Sequence, residues 1–394
     1  MVPCYPGARS RALLPMLLVT GALTVAPLIK AATPELVVAD PLGITAFDLY
    51  ENGLIWWDAP GRCTGEMPHE ATVRVMATLG GGTVNLARDC AMLEGDYTRV
   101  VRDEAYIYFF SGLQLHRKAL NALERDPSQV LVTTNLNPTL PAAQSCAVLE
   151  LAESQLYWPR RGSSYTTIYR MPSDGSSAPD QLVRITNTND VSKLQRFILT
   201  DPDAGSAESL AVLFSDGRLY RVLLTSPTAT LYLAGGVADF AVHRRRLLTG
   251  TTTYLYAAIG KSASDMQPET PAGGLLRINA YTGDATTIYT ASGNNQVLSV
   301  AVDPSEFVTP IGSDPHYLYL AEAIMSCGEL FCDETDRVIK RHTTPGSTTG
   351  WEQIVTTGGG GNLRLDKDWL YYVAGNMIRR ISRDAPAQEL DFVA

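Results

Sequence analysis

Charge is scarce in this chain. Only 19% of its 394 residues are Asp, Glu, Lys or Arg. The five histidines, His69, His116, His243, His316 and His342, stand singly, without the spacing that holds a metal. No G-x-S-x-G, H-E-x-x-H or P-loop pattern occurs. Gly80-Gly81-Gly82 and Gly358 to Gly361 lack both the G-x-G-x-x-G spacing and a helix to follow, so they read as turns. No stretch keeps a long helical period, and the longest helix candidate, Leu120 to Arg125, spans a turn or two. No glycosylation sequon has a permitted middle residue, since Asn137-Pro138-Thr139 is blocked by its proline, which weighs toward a bacterial source. These absences remove the familiar signatures of hydrolases, zinc enzymes and nucleotide-binding folds.

Acidic residues are also missing from the start of the chain, where none precedes Glu35. Arg9 and Arg11 lead into an apolar run from Ala12 to Ile29, followed by Lys30-Ala31-Ala32. A basic end, an apolar middle and small residues at the exit form a secretory signal, expected to cover residues 1–31. The fit to A-x-A is poor, because Ile29 or Lys30 takes the minus-three place. An uncleaved anchor is the alternative, but Pro15, Pro27, Thr20 and Thr24 oppose a spanning helix. Removing residues 1–31 takes away three basic residues and no acidic one, leaving 29 basic against 41 acidic, a formal charge of −12. That balance argues against nucleic acid or an anionic membrane surface as partner. The one basic patch, Arg244-Arg245-Arg246, reads as a solvated turn before Leu247.

What the chain does have is turns, with 32 Gly and 23 Pro, and short aromatic strands that recur. These are Leu54-Ile55-Trp56-Trp57, Tyr106-Ile107-Tyr108-Phe109, Leu156-Tyr157-Trp158, Leu210 to Phe214, Tyr254-Leu255-Tyr256, Tyr317-Leu318-Tyr319-Leu320 and Trp369-Leu370-Tyr371-Tyr372. From Trp56 to Tyr371 there are 315 residues in six steps, about 52 per step. Each is followed by a strand with an apolar–basic signature, among them Val73-Arg74-Val75, Tyr169-Arg170-Met171, Tyr220-Arg221-Val222 and Leu276-Arg277-Ile278. Another apolar strand precedes each unit's aromatic one, and a turn with a further strand usually closes it. Four antiparallel strands at this period make a β-propeller blade, and stacked blades bury both faces of every sheet.

The expected fold is therefore all-β: a propeller of seven four-stranded blades, with six or eight as alternatives, filling residues 32–394 as one domain. The blades fall near 42–96, 97–143, 144–193, 194–235, 236–293, 294–358 and 359–394. Glu35 to Ala39 is placed to pair with the last blade and close the ring. Surface loops are expected at Gly260 to Gly273, Ser305 to Pro315 and Ser326 to Asp336.

Leu156-Tyr157-Trp158-Pro159, with Ile168-Tyr169-Arg170-Met171-Pro172 and Asp174-Gly175 downstream, resembles the YWTD-type and TolB-like propeller repeats. Ile55-Trp56-Trp57-Asp58 is similar to the same motif and keeps its aspartate, whereas Pro159, Ala257, Ala321 and Val373 replace it elsewhere. The resemblance implies the fold. Its members bind proteins in receptors or dock envelope proteins, and related rings include lyases and lactonases, so it selects no single activity.

Five cysteines follow the signal: Cys63, Cys90, Cys146, Cys327 and Cys332. Export permits disulfides. Cys327 and Cys332 enclose four residues and are expected to close locally. In a propeller the loop between second and third strands shares a face with the link to the next blade, which places Cys63 near Cys90 and leaves Cys146 over. The rival is Cys90–Cys146, because Cys-Ala-x-Leu-Glu occurs at both. Asp48, Asp103, Asp201, Asp303 and Asp366 follow inner strands, where a carboxylate caps a turn by accepting backbone N–H groups. The other reading of these aspartates is a Ca²⁺ ring, with Asp201-Pro202-Asp203 as the best isolated site, but further carboxylates are missing. The repeated arginines read as a structural repeat, with pairing to acids in neighbouring blades or an anion site as alternatives. No catalytic or cofactor-binding residue is assigned. The expected function is a secreted or periplasmic, monomeric protein-binding or scaffold module. The alternative is an enzyme of the lyase or lactonase type with a site at the central channel.

Overall fold

The computed structural model describes residues 34–384, apart from 41–43, 45, 51–52, 58–70, 77–80, 90–99, 112–113, 134–148, 153, 162–164, 187–193, 201–208, 215, 225–228, 234, 248–249, 262–271, 304–316, 329–331, 343–348, 356–357 and 359. By internal contact the chain divides into Met1–Lys30, which lies outside the described residues, and Ala31–Ala394. Among the described residues no helix is long and apolar enough to cross a membrane.

The second unit is a ring of seven four-stranded antiparallel sheets. A strand from the N-terminal side, β1 (Glu35–Ala39), comes first in the chain but belongs to the last blade. The first blade is β2 (Ala46–Tyr50), β3 (Gly53–Trp57), β4 (Ala71–Met76) and β5 (Val84–Asp89); the second is β6 (Val101–Arg102), β7 (Tyr106–Ser111), β8 (Gln114–Ala119) and β9 (Gln129–Thr133). The third holds β10 (Glu150–Ala152), β11 (Gln155–Arg161), β12 (Tyr165–Pro172) and β13 (Asp180–Thr186). The fourth holds β14 (Leu194–Thr200), β15 (Ser209–Phe214), β16 (Leu219–Leu223) and β17 (Ala229–Leu233). The fifth is β18 (Val237–Leu247), β19 (Gly250–Ile259), β20 (Gly274–Asn279) and β21 (Ala285–Thr290). The sixth is β22 (Gln296–Val302), β23 (Leu318–Cys327), β24 (Cys332–His342) and β25 (Trp351–Val355). In the seventh, β26 (Gly361–Leu365), β27 (Trp369–Ala374) and β28 (Met377–Ser382) are completed by β1, which pairs antiparallel with β28. Every described blade falls within the span expected from the repeat. Leu120 to Arg125, the helix candidate, forms turns.

Alternation explains why the second strand of each blade carries apolar side chains on both faces. Successive side chains of a strand point to opposite faces, and here each face meets a different neighbour. Ile55 and Trp57 pack with Ile107 and Phe109 of the second blade, whereas Leu54 and Trp56 pack with Tyr371 and Ile378 of the seventh. Tyr108 and Phe110 turn toward Leu156 and Trp158 of the third blade. Seven such clusters fill the seven junctions, so the core is divided among interfaces rather than gathered at a centre. Phe240, fully buried between the fourth and fifth blades, is one of the largest contributors. Truncating such a ring side chain typically costs about 3–5 kcal/mol.

Tight turns set the register. At Asp216-Gly217 the Asp216 carboxylate accepts the Arg218 N–H at 3.1 Å. Gly217 has φ of +76°, and a Cβ there would lie 2.6 Å from the Gly236 nitrogen, so a side chain is excluded on two counts.

Ring closure is both backbone and side chain. Glu35 Oε2 accepts Arg380 Nη2 at 2.8 Å. Asp40, just past β1, accepts Trp56 Nε1 and pairs with Arg74 Nη1, each at 3.0 Å. The closing strand is thus tied to the first blade as well as to the seventh.

Candidate functional site

Two features stand out from the repeated framework: the hairpin of the sixth blade and the inner strands around the axis. In the hairpin, β22 pairs with β23 only as far as Ala323, and β25 pairs with β24 only from Ile339. Beyond those points β23 and β24 pair with each other alone, up to Cys327 opposite Cys332. A disulfide joins these two cysteines. The segment expected as a loop from Ser326 to Asp336 is therefore largely strand, because direct cross-strand pairing continues into it. Ser326, Gly328, Asp333, Glu334 and Thr335 are exposed.

Both neighbouring inter-blade links grip the base of this hairpin. Asn295, in the link from the fifth blade, accepts Met325 N–H at 3.1 Å; Asp336 accepts Gly358 N–H at 2.9 Å from the link to the seventh. Below it lies a buried polar cluster. Glu322 is fully buried and meets Lys340 Nζ at 2.5 Å, the Tyr289 hydroxyl at 2.6 Å and Asn295 Nδ2 at 2.8 Å. Burial, and then the hydrogen bond to Glu322, push the Tyr289 hydroxyl far above its ordinary pKa. Every charged member has a partner, which is what a buried ion pair requires.

At the axis, inner strands are joined blade to blade by polar side chains. Arg196 of β14 pairs with Asp239 of β18 and also reaches the Phe240 carbonyl. Asp239 Oδ2 in turn accepts Ser299 Oγ of β22 at 3.0 Å, and Ser299 Oγ accepts Leu363 N–H of β26 at 3.3 Å. Arg364 lies 4.0 Å from Asp48 of β2, and Arg102 of β6 donates to the Leu49 carbonyl. Bulges at the starts of β14, β18, β22 and β26 set these residues out of simple alternation. The sequence marks them only as lone polar residues in apolar strands, a signal that single-strand reading passes over.

The residues singled out by sequence divide among several roles. Cys63, Cys90 and Cys146 lie outside the described residues, as do Asp201-Pro202-Asp203, His69 and His316. Asp103 caps its turn by accepting Ala105 N–H at 2.8 Å and Tyr106 N–H at 2.7 Å; Asp366 does the same for Asp368 and Trp369, at 2.8 and 2.7 Å. Asp303 accepts Tyr317 N–H and pairs with Arg383 at 2.5 Å. Asp48 differs from the expectation, since it sits inside β2 and faces the axis. Arg244, Arg245 and Arg246 are also corrected: they belong to β18, opposite Thr253, Thr252 and Thr251, and form no turn. The long β18–β19 hairpin of this blade lets the strand run on past its neighbours.

Among the repeated arginines, Arg117 of the second blade donates to the Asp174 carbonyl of the third at 3.1 Å, and Arg221 of the fourth to the Tyr281 carbonyl of the fifth at 2.6 Å. These contacts join neighbouring blades, but through backbone carbonyls and not through the acidic side chains expected as partners. His116, His243 and His342 contact Ser128, Asp303 and Thr349, all by hydrogen bonds within the framework. Among the described residues no three His, Cys, Asp or Glu side chains gather as a metal site.

No family model matches the sequence, and no curated protein matches it. Solved structures do. A chain of the mitotic checkpoint complex superposes with a TM-score of 0.52 at 14% identity, over 96% of this chain and 100% of that one. YCF48 bound to D1 peptide gives 0.51 at 10% identity, over 91% and 97%. Oligogalacturonate lyase from Vibrio parahaemolyticus gives 0.51 at 10% identity, over 90% and 98%. A more distant neighbour is described as TolB from Agrobacterium tumefaciens, with a TM-score of 0.36 over 69% of this chain. At these identities the likeness is one of fold.

Proposed function

We propose that this chain is an exported, monomeric propeller of the YWTD or TolB type that binds a partner protein through the face carrying the sixth-blade hairpin. The observation that carries the reading is the hairpin itself: a disulfide-closed protrusion anchored at its base to both adjacent links. A rigid projection loses little conformational entropy on contact, which favours recognition. Two of the solved structures of similar fold are, by their descriptions, a multi-protein complex and a peptide complex. A secretory signal at residues 1–31, expected from the sequence, and the disulfide both suit an oxidising compartment.

The test compares tagged mature protein with a variant in which residues 326–335 are replaced by Asn-Gly. Both are used for capture from native envelope and medium. The expected result is a partner recovered at least tenfold better by the natural chain, with both proteins equally folded. Equal recovery removes the hairpin from the reading.

A second reading, a lyase or lactonase with its site at the central channel, is favoured by the arginines that line the axis. Oligogalacturonate lyase shares the fold. Incubation with polygalacturonate and assay for an unsaturated, ultraviolet-absorbing product decides it, and no product above a blank rejects that substrate.

A further inference from the structure

A cavity of about 390 Å³ lies on the axis between the inner strands of the fourth, fifth, sixth, seventh and first blades. Small-molecule sites commonly occupy roughly 300–1,000 Å³, so its size is that of a site rather than a packing gap. Among the described residues its ionisable lining is Arg196, Arg244, Arg364 and Asp48, and the Asp239 carboxylate behind Arg196 leaves one positive charge in excess. The whole chain has a formal charge of −9. Charge of the minority sign has therefore gathered where apolar walls such as Ile198, Val242 and Val300 strengthen its field.

The guanidinium groups are also held in place. Arg196 commits Nη1 to Asp239 and the Phe240 carbonyl, and its Nε and Nη2 have no partner among the described residues. Arg244 Nη2 reaches the Leu199 carbonyl at 3.4 Å, and Arg364 Nη1 donates to the Leu363 carbonyl at 2.9 Å. A guanidinium has five donors in a planar fork, so contacts at one or two of them fix its orientation.

We infer that this axial cavity binds a small anion, held through carboxylate or phosphate oxygens by Arg196, Arg244 and Arg364. Both oxyanions match the guanidinium fork in two-point contact. Asp48 opposes the bound charge and draws Arg364 toward itself at 4.0 Å. The inference shares no residue with the hairpin, so either reading stands if the other fails.

The experiment is calorimetric titration of the purified chain with citrate, inorganic phosphate and glucose at constant ionic strength. At least one anion is expected to bind with one-to-one stoichiometry, and glucose not at all. Citrate alone assigns the site to carboxylates; phosphate alone assigns it to phosphoryl groups. Arg364→Gln and Arg244→Gln are each expected to weaken binding roughly tenfold or more, the loss of one charge-assisted contact. Asp48→Asn is expected to tighten it, a gain that misfolding does not produce. The inference fails if neither anion binds, if both arginine variants bind like the natural chain, or if Asp48→Asn weakens binding.

Discussion

The Tyr289 hydroxyl of the fifth blade donates to Glu322 of the sixth at 2.6 Å, while Lys340 Nζ meets the same carboxylate at 2.5 Å. Glu322 is fully buried, so this junction rests on an ion pair rather than on apolar contact alone. Removing one partner of such a pair leaves an uncompensated charge. Glu322→Ala is expected to cost about 3 kcal/mol, read as a shift in the urea unfolding midpoint. The double replacement Glu322→Leu with Lys340→Met should recover most of that loss, because a well-packed apolar pair often matches a buried ionic one. If the double variant is as unstable as the single, the strut is not the cause.

A second prediction concerns ring closure. Asp40 receives both Trp56 Nε1 and Arg74 Nη1 at 3.0 Å. Asp40→Ala removes the acceptor of a buried indole N–H and one partner of a mostly buried guanidinium. The expected cost is about 2–3 kcal/mol, with a change in tryptophan fluorescence before global unfolding. Asp40→Asn keeps an acceptor for Trp56 and should cost less.

A third prediction concerns alkaline stability. Burial pushes the hydroxyls of Tyr232, Tyr371 and Tyr372 up to about 12, and those of Tyr108 and Tyr319 further. An unfolded tyrosine ionises near pH 10. Above that pH the unfolded chain holds fewer protons than the folded one, so stability falls as pH rises. The contribution is complete below about pH 10 and disappears as the pH climbs toward about 12. Urea midpoints measured across that range should drop steeply. Tyrosinate absorbance from the buried set should appear with unfolding and not before it.

The fourth concerns Cys63 and Cys90, which we propose form a disulfide. Cys63 lies between β3 and β4, and Cys90 follows β5. In the sixth blade the equivalent hairpin touches the equivalent link through Asp336 and Gly358 at 2.9 Å. Non-reducing digestion and mass mapping should recover the Cys63–Cys90 peptide pair. A Cys90–Cys146 pair would show that adjacent blades are cross-linked instead, and free thiols at both positions would remove the proposal.

Blade number, blade limits and the closing strand were all legible, because each depends on a short local pattern repeated seven times. Trp56, Tyr108, Trp158 and Tyr256 announce the second strand wherever they occur, and burial on both faces follows from stacking. The axial contacts were not legible. Arg196, Asp239 and Ser299 come from different blades, 43 to 60 positions apart, and meet only once the ring has formed. The bulges that aim them leave no trace in alternation. Arg244 to Arg246 were misread for a related reason: a run of three charges resembles a solvated turn, and only pairing with Thr251 to Thr253 reveals a strand. The Ser326–Asp336 segment concealed its strands in the same way, its polar residues masking continued pairing.

Because β1 completes the sheet that ends in β28, Glu35 waits for a residue 345 positions later. During synthesis on the ribosome, the first strand emerges long before its partner exists. A nascent chain halted within the final hairpin therefore exposes two raw strand edges at once, a state that invites chaperone capture or self-association. A ring closed in this way is finished only when β28 forms, and a stop just before that strand should be as damaging as an early one.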